Sequence, residues 1–327
     1  MSALHTATDP AAPAAPAVPG TPGDAGDAGA TDAPAPLRLS FSRVDAFLTC
    51  PLKFRFSYVD RLPQEPSPTL SWGTSVHAAL ESWWDQKLPQ PPPVEVLLQG
   101  LYDGWDDTGF EGMARDEKLR WYAHAQDVLR RHHARYAPVY VPAVACEQWF
   151  ELDIGDGVEV VGSIDHVART PSGGIGIVDW KTNRKAKPRK RVVGSLQLAI
   201  YCLAARELWG QDPEWVALDF VVPGMRVSVD RGEIDVDGAL ATIRDVAATV
   251  RTATDYQPRP SPLCPWCDYR ALCPAFEGDG PDVPGLAVVE LQRLRRRQAH
   301  DAARAAELEA LIRDRLGPGA SVELGSA

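Results

Sequence analysis

Between Val144 and Trp180 apolar and polar residues alternate with a period near two, the spacing that turns one face of a β-strand towards a core. Val144, Cys146, Phe150, Leu152 and Ile154 share one parity, with Gln148 the exception, and Gly155-Asp156-Gly157 then supplies a turn. β-Branched residues return from Val158 to Val167, so the two runs read as a hairpin. A second Gly-rich turn, Pro171-Ser172-Gly173-Gly174, reverses the chain into Ile175 to Trp180. Elsewhere the period lengthens to that of helices. Ser42 is placed to N-cap a helix over Arg43 to Cys50, and a second helix opening at Gly73 or Thr74 aligns Val76, Leu80 and Trp84. Two helices fill Val94 to Tyr136 around a Gly-rich break at Thr108 to Gly112. Helices are also predicted over Val192 to Trp209 and Asp237 to Thr252, with strands over Trp215 to Val222 and Arg226 to Asp230. Helix, three strands, helix, strand is the order of an α/β core with a mixed sheet flanked by helices. A charged helix from about Leu286 to Leu316 follows, with Leu291, Leu294, Leu308 and Leu311 on a thin apolar edge and a basic cluster at Arg293, Arg295, Arg296 and Arg297.

Composition sets the outer limits. Residues 1–37 are Ala, Pro, Gly and Asp with almost no large apolar side chains, so they are expected to form an unordered tail. The folded part is expected over residues 38–280, with a helical extension expected over residues 281–327. The 327 residues contain no apolar run of about 18, so no membrane span is expected. The N-terminus lacks a secretory pattern, which makes the cytoplasm the expected location. A net charge of −10 disfavours a protein that coats nucleic acid non-specifically. Charge is segregated, however: Asn183 to Arg191 holds Arg184, Lys185, Lys187, Arg189, Lys190 and Arg191 and no acid.

The chemistry concentrates at two strand ends. Residues two apart on a strand share a face, so Asp179 and Lys181 point together, away from Val178 and Trp180. The turn at Gly173-Gly174 allows Asp165 and Asp179 to lie on adjacent strands. Two carboxylates held together beside an ammonium are costly unless a divalent cation joins them, and oxygen donors of this hardness suit Mg²⁺ or Mn²⁺. Arg184, Lys185 and Lys187 begin just past Lys181, where they are candidates for phosphate contact.

Gly162-Ser163-Ile164-Asp165 followed by Asp179-Trp180-Lys181 resembles the signature of PD-(D/E)xK nucleases, in their RecB-like branch. Three further segments are similar in the same order. These are Cys50-Pro51-Leu52-Lys53-Phe54 after a short helix, the helix Gly73-Thr74-Ser75-Val76-His77, and Gln197 with Tyr201 on the helix after the acidic strand. The resemblance implies a restriction-endonuclease-like α/β core in which His77, Asp165, Asp179 and the Trp180 carbonyl hold Mg²⁺ or Mn²⁺. It further implies that Lys181 positions the attacking water or stabilises developing charge, while Gln197 and Tyr201 orient the site. Asp179 stands where Glu is common, and its shorter arm bears on metal distance.

Six cysteines remain to be placed. Cys264, Cys267 and Cys273 follow a Pro-rich loop rather than a strand, which disfavours a thioredoxin-like reading. With Cys50 they make four thiols. This pattern is similar to the [4Fe-4S] arrangement of AddB-type and CRISPR-associated RecB-like nucleases, with Zn²⁺ as the alternative occupant. Such a cluster implies a structural clasp joining both ends of the nuclease domain. Cys146 and Cys202 read as small core residues. The implied activity is metal-dependent hydrolysis of DNA phosphodiesters by an exonuclease in repair or processing, with a helicase or other repair protein as partner. The alternative is a catalytically silent DNA-binding or scaffolding subunit.

Overall fold

The computed structural model describes residues 36–64 and 66–276, together with Ile312 and Arg315. The expected tail over residues 1–35 and nearly all of the expected C-terminal helix lie outside the described residues, as does the 280/281 boundary.

Six strands form one mixed sheet: β1 (Leu37–Leu39), β2 (Ala145–Asp153), β3 (Val158–Arg169), β4 (Ile175–Lys181), β5 (Trp215–Phe220) and β6 (Met225–Asp230). Strands run in the order β1-β3-β4-β5-β6, with β2 also on β3. β3 pairs antiparallel with β2 and β4, β5 lies parallel to β4, and β6 returns antiparallel. β1 was not expected. Leu37 had been assigned to the tail, but it pairs parallel with Val158, and Leu39 is buried beside Val160. Two leucines thus suffice to extend the fold past the low-complexity segment.

Helices cover both faces of the sheet. On one side α1 (Phe41–Thr49), α6 (Arg189–Val193), α7 (Leu196–Trp209) and α8 (Val236–Thr252) pack with Val167, Ile177 and Leu218. On the other, α3 (Pro68–Trp84), α4 (Val94–Asp103) and α5 (Arg115–Tyr136) enclose Trp83, Trp84, Val178 and Trp180. The strict alternation of β4 divides its side chains between these two cores. α2 (Pro51–Phe54) leads into a single π-helical turn over Arg55–Val59. Among the described residues no helix is long and apolar enough to cross a membrane.

Several helix boundaries differ from expectation. α1 is capped by Ser40, whose hydroxyl accepts from the Arg43 amide, and not by Ser42. α3 starts at Pro68, where Ser67 caps and proline supplies the preset φ of a first turn, five residues before Gly73. The helix expected over Val192 to Trp209 is broken at Gly194, and Ser195 caps a new helix. His132, despite its imidazole, is buried. Its position continues the stripe Ala125, Val128, Leu129 and Tyr136 on the inner face of α5, and it accepts a hydrogen bond from Trp84 Nε1 at 3.2 Å.

The alternation in the β2–β3 hairpin slips by one at a single level. Ala145 packs in the first core and Cys146 against the second, whereas Phe150 and Leu152 are back in the first. A single parity for Cys146 and Phe150 is therefore corrected: Glu147 has φ of +41°, rare for a residue with a Cβ, and this turns the strand over. Directly across the hairpin, β3 slips in step, since Ile164 and Val167 both reach the first core. The residue between them at the level of Glu147 is Asp165.

Candidate active site

β2 occupies one edge of β3 over residues 159–167, while β1 and β4 share the other edge at 158–160 and 166–169. Among the described residues no strand pairs with that second edge over residues 161–165, so β3 and β4 part just where Asp165 faces Asp179. The Asp165 carboxylate bridges the parting by accepting the Trp180 amide at 2.7 Å on Oδ2. His77 on α3 places Nδ1 3.7 Å from the same oxygen. Glu147, turned by its left-handed backbone, completes a set of three: donor atoms of His77, Glu147 and Asp165 all lie within 4.8 Å of one another. Ser163 Oγ donates to Glu147 Oε2 at 3.0 Å and fixes that carboxylate.

Asp179 stands in a second group. Its Oδ2 lies 2.6 Å from the Lys181 ammonium, and its Oδ1 accepts from Tyr201 Oη at 3.2 Å. Lys181 Nζ also donates to Gln197 Oε1 at 2.8 Å, and Gln197 Nε2 donates to Tyr201 Oη at 2.9 Å. Asp179, Lys181, Gln197 and Tyr201 thus close a ring of polar contacts. One turn of helix separates Gln197 from Tyr201 on α7, which lets both reach the same strand end.

Electrostatics follow from this crowding. Burial pushes Asp165 well above the ordinary carboxylate value, and the charges of Asp179 and Glu147 add to the rise against the Trp180 amide and Lys181. Burial likewise raises Glu147, partly offset by the Ser163 hydrogen bond. His77 is held low, first by burial, with Asp179 opposing and Lys181 reinforcing, so a neutral ring with a free lone pair is favoured. The Trp180 backbone is a raising contact of that ring, and the two rings meet edge-on with centroids 5.9 Å apart.

Five residues expected in the site, Asp165, Asp179, Lys181, Gln197 and Tyr201, lie at one end of the sheet with His77 and Trp180. The residues expected to hold one or two ions fall into two groups here: Asp179 meets Lys181 and Tyr201, while His77 and Asp165 meet Glu147. Glu147 was missed. Its signal was the break in the apolar pattern at Gln148, the sequence trace of a strand that turns over. His77, Glu147, Gly73 and Thr182 line an open cleft of about 660 Å³. Beyond it Arg184, Lys185 and Lys187 are exposed, but Arg189 is taken by a two-pronged ion pair with Glu233. Of the basic residues on α5, Lys118 is bound to Asp107, and Arg135 to the Gly224 carbonyl.

Residues 38–274 match the PD-(D/E)XK nuclease superfamily. The chain belongs to that superfamily. PD-(D/E)XK nucleases are divalent-metal-dependent phosphodiester hydrolases, and the donor set fits such an ion: one imidazole held neutral and two carboxylates whose charge burial disfavours when nothing binds them. The chain is also 23% identical to the Gene 69 protein of Mycobacterium phage D29 over 278 residues, 76% of this chain and the whole of that protein. The crystal structure of SSO0001 aligns over 73% of this chain and 86% of that one at 16% identity, with a TM-score of 0.37.

Four of the six cysteines line a second cavity, while Cys146 and Cys202 pack against the two cores. Cys50, Cys264, Cys267 and Cys273 line one cavity of about 230 Å³. Backbone amides of Arg259 and Ser261 point at the Cys50 and Cys264 sulfurs at 3.4 and 3.2 Å. Among the described residues no three of these sulfurs come within 4.8 Å of one another. Tetrahedral zinc would hold them about 3.8 Å apart at Zn–S distances near 2.3 Å.

Proposed function

We propose that this PD-(D/E)XK nuclease cuts DNA, acting as an exonuclease of the RecB-like branch with Mg²⁺ or Mn²⁺ at the parting of β3 and β4. The observation that carries the reading is the convergence of His77, Glu147 and Asp165 within 4.8 Å, beside an Asp179–Lys181 pair on the next strand. His77, Glu147 and Asp165 would hold a divalent ion, which would supply Lewis acidity for hydrolysis of the phosphate ester. The remaining work falls to the chain. Lys181 holds its ammonium between Asp179 and Gln197, from where it would orient the attacking water or balance charge that grows on the phosphate. Gln197 and Tyr201 fix the direction of Lys181 and Asp179, and the Trp180 amide fixes Asp165. The Trp180 carbonyl is a further candidate ligand. Arg184, Lys185 and Lys187 supply phosphate contacts next to the site, where local charge outweighs the acidic balance of the whole chain. A silent scaffold role would be favoured by a lost acid or lysine, and each position is filled.

In the second cavity, the spread of the four sulfurs and the two amides aimed at them suit a [4Fe-4S] cluster better than Zn²⁺. A partner helicase and a role in DNA repair, in the cytoplasm, complete the proposal.

End-labelled linear and closed circular DNA incubated with the purified chain and Mg²⁺ or Mn²⁺ test it. Linear DNA is expected to be degraded, and Asp165→Ala and Lys181→Ala each to reduce the rate by at least about a hundredfold, the scale of losing one electrostatic participant. Undiminished cleavage by both variants would overturn the assignment.

A further inference from the structure

The two polar groups at the site differ in what they offer an arriving cation. His77 and Glu147 line the open cleft, with Asp165 beside them. Asp179 is only 1% exposed, and its oxygens already face an ammonium at 2.6 Å and a phenol at 3.2 Å. Among the described residues Asp179 joins no set of three donors within 4.8 Å. Lys181 is itself held by Gln197, which is held in turn by Tyr201, so the ammonium sits in a position built for it.

We infer that Lys181 is a placeholder for a cation at Asp179. His77, Glu147 and Asp165 take up the first divalent ion without Asp179, and Asp179 becomes a ligand only after Lys181 leaves its Oδ2. The same move would free the ammonium to face a phosphate, so uptake of cation at Asp179 and deployment of Lys181 are one event. Gln197 is then a positioning residue that sets how readily Lys181 lets go. This rests on the reading of the site as a divalent-cation centre, but its test reads binding and not cleavage.

Free Mn²⁺ followed by electron paramagnetic resonance during titration of the full-length chain at neutral pH measures that binding. Asp165→Asn and Glu147→Gln are expected to weaken the first site at least about tenfold, and Asp179→Asn to change it by less than about threefold. Removing the competing charge with Lys181→Gln is expected to tighten Mn²⁺ binding roughly tenfold or to add a second ion, whereas Lys181→Arg keeps the wild-type affinity. Thermal unfolding without metal, recorded for each variant, separates lost ligands from lost fold. Equal losses in Asp179→Asn and Asp165→Asn, no gain in Lys181→Gln, or no Mn²⁺ uptake by the wild type would overturn the inference. If the expected order of affinities holds while DNA stays uncut, the placeholder stands and the nuclease reading fails.

Discussion

His132 shows how one residue can tie stability to pH. It is buried on the face of α5 that meets Trp83 and Trp84 of α3, and burial, with lesser contributions from Arg226, Arg135 and His133, lowers its pKa to about 4 against the raising charge of Asp219. Its ordinary value is near 6.5, so between about pH 6.5 and 4 the unfolded chain binds a proton that the folded chain refuses. Stability therefore falls as pH drops through that window, by at most about 1.4 kcal/mol per pH unit from this group. His132→Gln retains an acceptor for the Trp84 indole and removes the titration. Urea midpoints measured from pH 7 to 4.5 are expected to fall less steeply in this variant, and a slope identical to that of the wild type would show that His132 does not carry the effect. The position of His132 was open to sequence reasoning, since it lies seven residues after Ala125 and four before Tyr136, but an imidazole does not advertise burial. Alternation and the Gly-rich turn put Asp165, Asp179 and Lys181 on neighbouring strand ends, and it was the resemblance to PD-(D/E)xK nucleases, not the charges alone, that marked them as a candidate site. Glu147 was only half legible: the break at Gln148 marks a strand that slips, but not that the glutamate beside it takes a left-handed φ and turns into the site.

At the scale of elements, the site depends on how closely α3 approaches the end of β4. Gly73 makes that approach possible: a Cβ there would meet Thr182 Oγ1 at 3.1 Å, tighter than ordinary contact. One helical turn later α3 delivers His77 to Asp165, so the glycine sets the distance between imidazole and carboxylate. Gly73→Val, with two further methyl groups, is expected to push α3 outward, cost about 1–3 kcal/mol of stability and reduce metal-dependent cleavage about tenfold or more. Thr182→Ala in the same chain removes the obstructing hydroxyl and should restore much of both. If the double variant is as impaired as Gly73→Val, the approach of the two elements is not what the glycine protects. Sequence placed Gly73 at the opening of the helix because glycine is a poor interior residue. In the folded chain helix propensity gives way to close packing, and the cap is Ser67, six residues before Gly73, with Pro68 opening the first turn.

For the whole molecule, the question is what joins the beginning of the folded chain to its end. Cys50 follows α1, whereas Cys264, Cys267 and Cys273 lie past α8 in a segment built of short 3₁₀ turns. That segment has little core of its own: Leu52, Phe54 and Tyr256 form a small apolar cluster, and Tyr269 ties it down by accepting from Ser57 and donating to the Leu62 carbonyl. A cluster bound by all four thiolates would close a loop of more than two hundred residues, and a crosslink across so long a loop removes several kcal/mol of chain entropy from the unfolded state. Its contribution should appear in stability first and in catalysis only through the fold, because the cysteines share no lining residue with the cleft at His77. Cys267→Ser is therefore expected to bleach the brown absorbance of protein purified without oxygen and to lower the unfolding temperature by several degrees, while residual folded protein still binds Mn²⁺ at His77, Glu147 and Asp165. An unfolding temperature equal to that of the wild type would remove the clasp from the account of this fold, and an unchanged visible spectrum would remove Cys267 from the ligand set.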